Sequence, residues 1–438
     1  MYTPAARQLE VDTDRGIAWP SPSTGAKDFG ELKKQKNSAF FAHATCNPAD
    51  KDRVSIYEGC AAVSFFYKYY RPNAYFEKAI RYNELYFAAN NEFNDPHDLK
   101  ARYNFEDNVG LWGKLLALKP KYDTWDLNAF VDVASPNLLR GLNDIFKGVS
   151  FDSVEGSIYS EIESRKPDLL GVFVSNLKSD VVAPDGFDFY RSMDPDQKAE
   201  HCVLWLSALL ARAVSFVCYS VSFSDQAFSP MMWAHYADGF KGCVVIYNKY
   251  KSNSIGLKRN LFDAGLLRFE FSKVNYSDGE KRIPVLGCAV SSGQEAVGVF
   301  RQKSAFWNYE AEHRLFCFES YDPTHHSIVK EKRSSLHERI FHHQTNDIAG
   351  VIFGPRCSDQ FKRKVDLTLL DNRRRAGNKP FVLLDTELTR DSRVRVSGAK
   401  VQCCPVVPGQ PPSAEGMHRV IPEEKLKSFL EDNGIFQD

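Results

Sequence analysis

Residues 214 to 248 constrain the fold of this chain more than any other stretch. They read "VSFVCYSVSFS", then "SDQAFSP", then "MMWAHYADGFKGCVVIYN". The first run is β-branched and aromatic and ends in serines, the signature of a strand. Ser229-Pro230 caps a short helix, Gly239 stops it, and "GCVVIYN" is a second strand. Further strands are expected over Val63 to Tyr70, in "FSKVNYS" (271 to 277), after the helical turn in "FRQKSAFWNYEAEHRLFCFE" (300 to 319), and in "IAGVIFGPRCS" (348 to 358). So many strands exclude a helical bundle.

Helical periodicity is segregated elsewhere. "LWGKLLALKP", "NLLRGLNDIFKG" and "DPDQKAEHCVLWLSALLARAVSF" place apolar residues at i, i+3 and i+4, and Asp194-Pro195 starts the last of them. Strands in one part and helices in another give the class α+β, with a mixed or antiparallel sheet core and a helical insertion. The expected organisation is a loosely ordered arm over 1–55, a core over 56–376 containing the insertion at 104–213, and an extension over 377–438. That extension holds the proline-rich "CCPVVPGQPPSAEG" and a terminal helix, "PEEKLKSFLEDNG".

Lys+Arg and Asp+Glu both total 56, so no whole-chain field draws the 438 residues to nucleic acid or to an anionic membrane. No apolar run approaches the ~20 residues that span a bilayer, and the first residues lack a signal-peptide pattern. The expectation is a cytoplasmic protein. The ten cysteines are scattered without a CxxC spacing, which favours reduced, structural thiols.

Several constellations could carry chemistry. If residues 310 to 318 form one strand, Glu310, Glu312 and Arg314 point to one face, with Phe316 and Phe318 beyond them, and His313 to the other. Two carboxylates one strand step apart repel unless a cation or a substrate separates them. The plainer reading is that Arg314 and nearby basic residues neutralise both acids on a solvated face. On the short helix Met232, His235 and Tyr236 share a face, flanked by Trp233 and Ala237, so the helix is expected to be nearly surrounded. Its plainer reading is an aromatic core helix. In "EFNDPHD", Asp95, His97 and Asp98 could hold a metal, but a turn set by Asn94 and Pro96 accounts for the same residues. His325, His326, His337, His342 and His343 form no regular zinc pattern, and no metal is expected. The basic run 362–375 could meet a phosphate backbone or be a solvated helix face.

Read in order, "YKYY", "FNDPHD", "SFS", "MMWAHYADGFKGCVVIY", "KSAFWNYEAEHRLF" and "IAGVIFGPR" resemble the bacterial family known as domain of unknown function twenty-nine seventy-one. The resemblance covers roughly residues 63 to 370 and departs at His97, where the family usually carries an aromatic residue. It implies a setting among phage-defence and stress genes and no particular activity. The motif order is also similar to that of ADP-ribosyltransferases: a first strand with a polar residue, a serine-bearing strand, a small aromatic helix and a Glu-x-Glu strand. That resemblance implies a split sheet and NAD as substrate, with ADP-ribose passed to a protein or nucleic acid. Glu312 would stabilise the positive sugar and hold a ribose hydroxyl, and Glu310 would position the acceptor. Tyr236 would lie beneath the cationic nicotinamide, with His235 beside it. Ser220 or Ser222 would orient Glu312. Lys68 or Tyr69 would meet the adenosine half or a phosphate, and Trp233 and Arg314 would complete the cofactor site. Two alternatives stay open: a non-catalytic module whose aromatic pocket binds a nucleotide or peptide, and a nuclease using Asp95, Asp98 and the basic run.

Overall fold

In the computed structural model the described residues run from 64 to 435, apart from 96, 100–101, 119–126, 153–156, 180–191, 212, 215, 250–252, 264, 292–293, 321–335, 377–378 and 404–416. The expected N-terminal arm, the proline-rich linker, and His325 and His326 lie outside the described residues.

A nine-stranded sheet organises the chain. Its strands are β1 (Ser64–Tyr70), β2 (Phe216–Ser224), β3 (Cys243–Lys249), β4 (Ser272–Lys273), β5 (Glu312–Ser320), β6 (Ile348–Phe353), β7 (Phe381–Leu388), β8 (Val394–Cys403) and β9 (Met417–Ile421). They lie in the order β9-β8-β7-β6-β3-β1-β2-β5-β4. Every neighbouring pair is antiparallel except β6 and β7, whose parallel pairing is reached through the helix Asp359–Ala376. This mixed sheet, with its helices segregated, bears out the α+β class.

Alternation along the strands explains why the sheet is covered on both sides. Tyr219, Val221 and Phe223 of β2 join Phe66, Val245 and Leu315 in one apolar cluster, while Phe65, Tyr67, Val244 and Ile246 face another. Strand β6, "IAGVIF", is buried along its whole length. Strand β3 sits two places from β2, so the connection between them passes the end of β1. Gly242 lies at that crossing: a Cβ there would sit 2.0 Å from the Tyr70 carbonyl oxygen, which only glycine avoids.

Two expected boundaries are not structural ones. Residues 377–438 contribute β7, β8 and β9 to the same sheet, with Gly350 of β6 in register with Val382 of β7. The proline-rich segment drew attention away from the alternation on either side of it. The helical part is also more than an insertion at 104–213. Its apolar core is completed by Val285–Ser291 and Gln294–Phe300. A three-stranded sheet of Arg282–Pro284, Arg102–Asn104 and Ser150–Asp152 ties these later residues in. The Glu106 carboxylate accepts from the Leu286 and Gly287 N–H groups at 2.9 and 2.8 Å, capping the later helix. Among the described residues no helix is long and apolar enough to cross a membrane.

Candidate active site

The Glu-x-Glu segment does not form one continuous strand. Glu310 ends a 3-10 helix, Ala305–Glu310, and Glu312 begins β5. Between them Ala311 adopts a left-handed conformation with φ 44°, which costs an alanine on the order of 1 kcal/mol. The turn is anchored: Ser224 Oγ donates to the Glu310 carbonyl at 2.6 Å and Asp225 N to the Ala311 carbonyl at 3.1 Å. The periodicity expected from residue 310 therefore starts only at 312.

Both carboxylates nevertheless reach the same buried cation. Lys303 Nζ donates to Glu310 Oε2 at 2.5 Å and to Glu312 Oε2 at 3.1 Å, and lies 3.5 Å from Asp98 Oδ2. Arg314 is fully buried. Its Nε and Nη2 donate to the two oxygens of Glu312 at 2.7 and 2.8 Å, and its Nη1 and Nη2 donate to the two oxygens of Asp98 at 2.7 and 2.6 Å. Arg314 thus makes two bidentate pairs at once, a geometry that only the guanidinium fork provides. Its neutralising role matches the plainer expectation, but the face is buried, not solvated.

Asp98, Glu310 and Glu312 face Lys303 and Arg314, so the cluster holds one acid more than it has cations. The imbalance falls on Glu310. Burial pushes its carboxyl above the usual range, Glu312 adds repulsion, and Lys303 and Tyr236 offset these only in part. For Glu312 burial also pushes upward, but Arg314 and Lys303 outweigh it and hold the carboxyl well below the usual range. Lys303 is held charged in spite of burial by Glu312, Glu310 and Asp98. Two carboxylates of neighbouring sequence are therefore pushed in opposite directions, the pattern that separates a proton-bearing acid from a fixed anion.

Tyr236 links this network to the surface. Its Oη donates to Glu310 Oε1 at 2.5 Å and the residue is half-buried. Burial and then Glu310 raise its phenol, with a hydrogen bond to Asn94 opposing them. His235 is exposed and its Nδ1 is 3.0 Å from Tyr309 Oη. The short helix is thus half exposed and not nearly surrounded, because Met231, Ala234 and His235 face outward.

The remaining expected residues divide. Ser222 stands opposite Arg314 in register and helps to hold the Glu312 carboxyl down. Ser220 stands farther along the strand, opposite Phe316, and its Oγ is buried without a hydrogen-bond partner among the described residues. Strands β1 and β2 share the single pair Tyr67 and Ser224 and then part. Beyond that pair Lys68 Nζ donates to the Ser222 carbonyl at 2.9 Å and lies over the Phe223 and Tyr70 rings. Burial lowers its ammonium to about 8, with Glu312 opposing. Tyr69 donates to the Gln226 carbonyl at 2.8 Å and packs edge-on against Trp233. Trp233 is fully buried and donates to the Ala227 carbonyl at 2.9 Å. Tyr69 and Trp233 are thus core residues here and do not face the cluster, since their helix and strand turn these rings inward together.

Sequence reasoning missed Lys303, which no local spacing distinguishes from a surface lysine, and Tyr276, whose Oη accepts from Glu312 N at 2.8 Å. It took Asp98 as a candidate metal ligand or nuclease residue beside Asp95. In the structure Asp95 Oδ1 accepts from His97 N at 2.8 Å, which is the expected turn, while Asp98 serves Arg314. Asp95 and Asp98 thus have different partners. The basic run is also largely occupied, with Lys362 on Asp385 and Lys364 on Glu77.

Compared with models of known families, with curated proteins and with solved structures, the chain matches none.

Proposed function

We propose that the protein is an ADP-ribosyltransferase-like enzyme that breaks the nicotinamide–ribose bond of NAD and passes ADP-ribose to an acceptor. The observation that carries this reading is the buried Glu312, held by Arg314 and Lys303 beside the parting of β1 and β2, with Glu310 two residues away and hydrogen-bonded to the half-buried Tyr236. The similarity of motif order to ADP-ribosyltransferases lends it further support, and the resemblance to the domain of unknown function suggests a role as a defence or stress effector.

The roles differ from those the resemblance implied. Glu312 has both oxygens committed to Arg314 and Lys303, so it acts as a fixed anion that holds the cluster's charge in place. Glu310 is buried as well, but its carboxyl is raised and shared with the half-buried Tyr236, and it is suited to taking a proton. In the proposed step the C1′–N bond breaks and its electron pair stays with nicotinamide, which leaves neutral. The acceptor atom bonds to C1′ and gives its proton to Glu310. The sugar's transient positive charge is stabilised by the nearby carboxylates, and the half-buried Tyr236 ring offers a face to the nicotinamide cation.

A second reading has its own support. Every oxygen of Asp98 and Glu312 is satisfied from within, as suits a non-catalytic module whose buried ions fix the mouth of an aromatic pocket. Incubation of the protein with labelled NAD and cell lysate separates the two. The enzyme reading expects nicotinamide release or label transfer, lost in a folded Glu310→Gln variant. No turnover, or equal turnover by the variant, overturns it.

A further inference from the structure

The 3-10 helix that ends at Glu310 presents Phe306 to solvent, with 73% of its surface exposed. The segment that carries this ring is fastened at both ends. Asp278 Oδ1 accepts from Ser304 Oγ and from Ala305 N, both at 3.0 Å, and Ser304 Oγ accepts from Phe306 N at 3.4 Å. At the other end Ser224 and Tyr236 bond the Glu310 carbonyl and carboxylate. The ring is held out by polar anchors, so its exposure is built in.

Phe306 is also the end of a continuous strip of rings. Its centroid lies 5.2 Å from Trp307; Trp307 is 6.1 Å from Tyr309, Tyr309 is 5.9 Å from His235, and His235 is 6.3 Å from Tyr236. The strip therefore leads from solvent to the carboxylate that Tyr236 holds. Beside it stands Arg71, exposed, whose Nη2 donates weakly to the His235 carbonyl at 3.4 Å and which forms no ion pair with an acid among the described residues. The rings meet at 41 to 89°, so each offers a face of its own, and with a guanidinium beside them they match flat bases splayed apart along a chain of anions.

We infer that the strip from Phe306 to Tyr236 is a stacking platform for the unpaired bases of a single-stranded nucleic acid, with Arg71 meeting its phosphate, and that the acceptor is a base delivered to Glu310. The naming of the acceptor rests on the NAD reading above; the binding surface does not. Stacking on aromatic rings tolerates any base, whereas a duplex hides its base faces. A single guanidinium supplies little of the long-range attraction that the neutral chain lacks, so stacking carries most of the binding.

The test is anisotropy of a fluorescein-labelled mixed-sequence single strand titrated with the full-length protein, without NAD, beside the same sequence as duplex. The single strand is expected to bind more tightly. Phe306→Ala is expected to weaken it about tenfold, in line with the loss of one base–aromatic stack, and Phe306→Trp to retain it. Arg71→Ala is expected to flatten the dependence on salt by about one phosphate contact. Equal affinity for duplex and single strand, or wild-type affinity in Phe306→Ala, overturns the platform. If the strand binds as expected and NAD is not consumed, the platform stands and the enzyme reading falls. If NAD is consumed and label goes to lysate protein but never to the strand, the acceptor assignment is overturned.

Discussion

Glu312→Gln tests whether the buried cluster holds the sheet and the helical lobe together. Glu312 is 3% exposed and receives Arg314 Nε at 2.7 Å, Arg314 Nη2 at 2.8 Å and Lys303 Nζ at 3.1 Å. Glutamine keeps one acceptor oxygen and turns the other position into a donor that faces a cation. Buried Arg314 then keeps one of its two carboxylates and buried Lys303 two of its three. Breaking one side of a buried ion pair costs about 3–5 kcal/mol, a large part of the roughly 5–15 kcal/mol that holds a folded protein together. Glu310→Gln is the control. It removes the surplus acid and keeps an acceptor for Tyr236, so its cost is expected to stay within about 1 kcal/mol. Urea unfolding followed by circular dichroism at pH 7 measures both. The difference from wild type for Glu312→Gln should also shrink on acidification. The Glu312 carboxyl is held below its ordinary value of 4.5, so its contribution is complete above that pH and is lost as pH falls toward the folded value. A Glu312→Gln variant as stable as wild type, or less affected than Glu310→Gln, refutes this account of the cluster.

Other outcomes follow from the same geometry. Tyr236→Phe removes a hydrogen bond that favours the Glu310 anion, so the Glu310 carboxyl should titrate at higher pH, visible by NMR of labelled glutamate side chains. Burial lowers the Lys68 ammonium from 10.5 to about 8; on its account the folded state binds fewer protons between these values, so wild type should gain stability relative to Lys68→Met from pH 8 to 10.5 in urea titrations. Gly242→Ala drives a methyl into the Tyr70 carbonyl and should cost at least about 1–3 kcal/mol, the range for overpacking, read as a lower thermal midpoint. Ala311→Gly relieves a left-handed alanine and should be stability-neutral or stabilising by up to about 1 kcal/mol in the same melt.

The sequence by itself determined the elements whose signal is local. Alternation in "VSFVCYSVSFS" and the continuous apolar "IAGVIF" marked β2 and β6, and Pro230 in the first turn with the left-handed Gly239 beyond the end bounded the short helix, because side-chain period and backbone preference act within a few residues. It also placed Glu312 and Arg314 on one face of β5. Tertiary structure alone decided what these groups do. Asp98 meets Arg314 across 216 residues of chain, and Lys303 gains its place between the two glutamates only because Ala311 turns the backbone between them. Which carboxyl is raised and which is lowered depends on those partners and on the depth of burial, since desolvation and Coulomb energy are set by distance in space. The fate of the opening helix follows the same rule. Its sequence supplied Trp233, His235 and Tyr236 together, and packing sent the first into the core, the second to solvent and the third to Glu310.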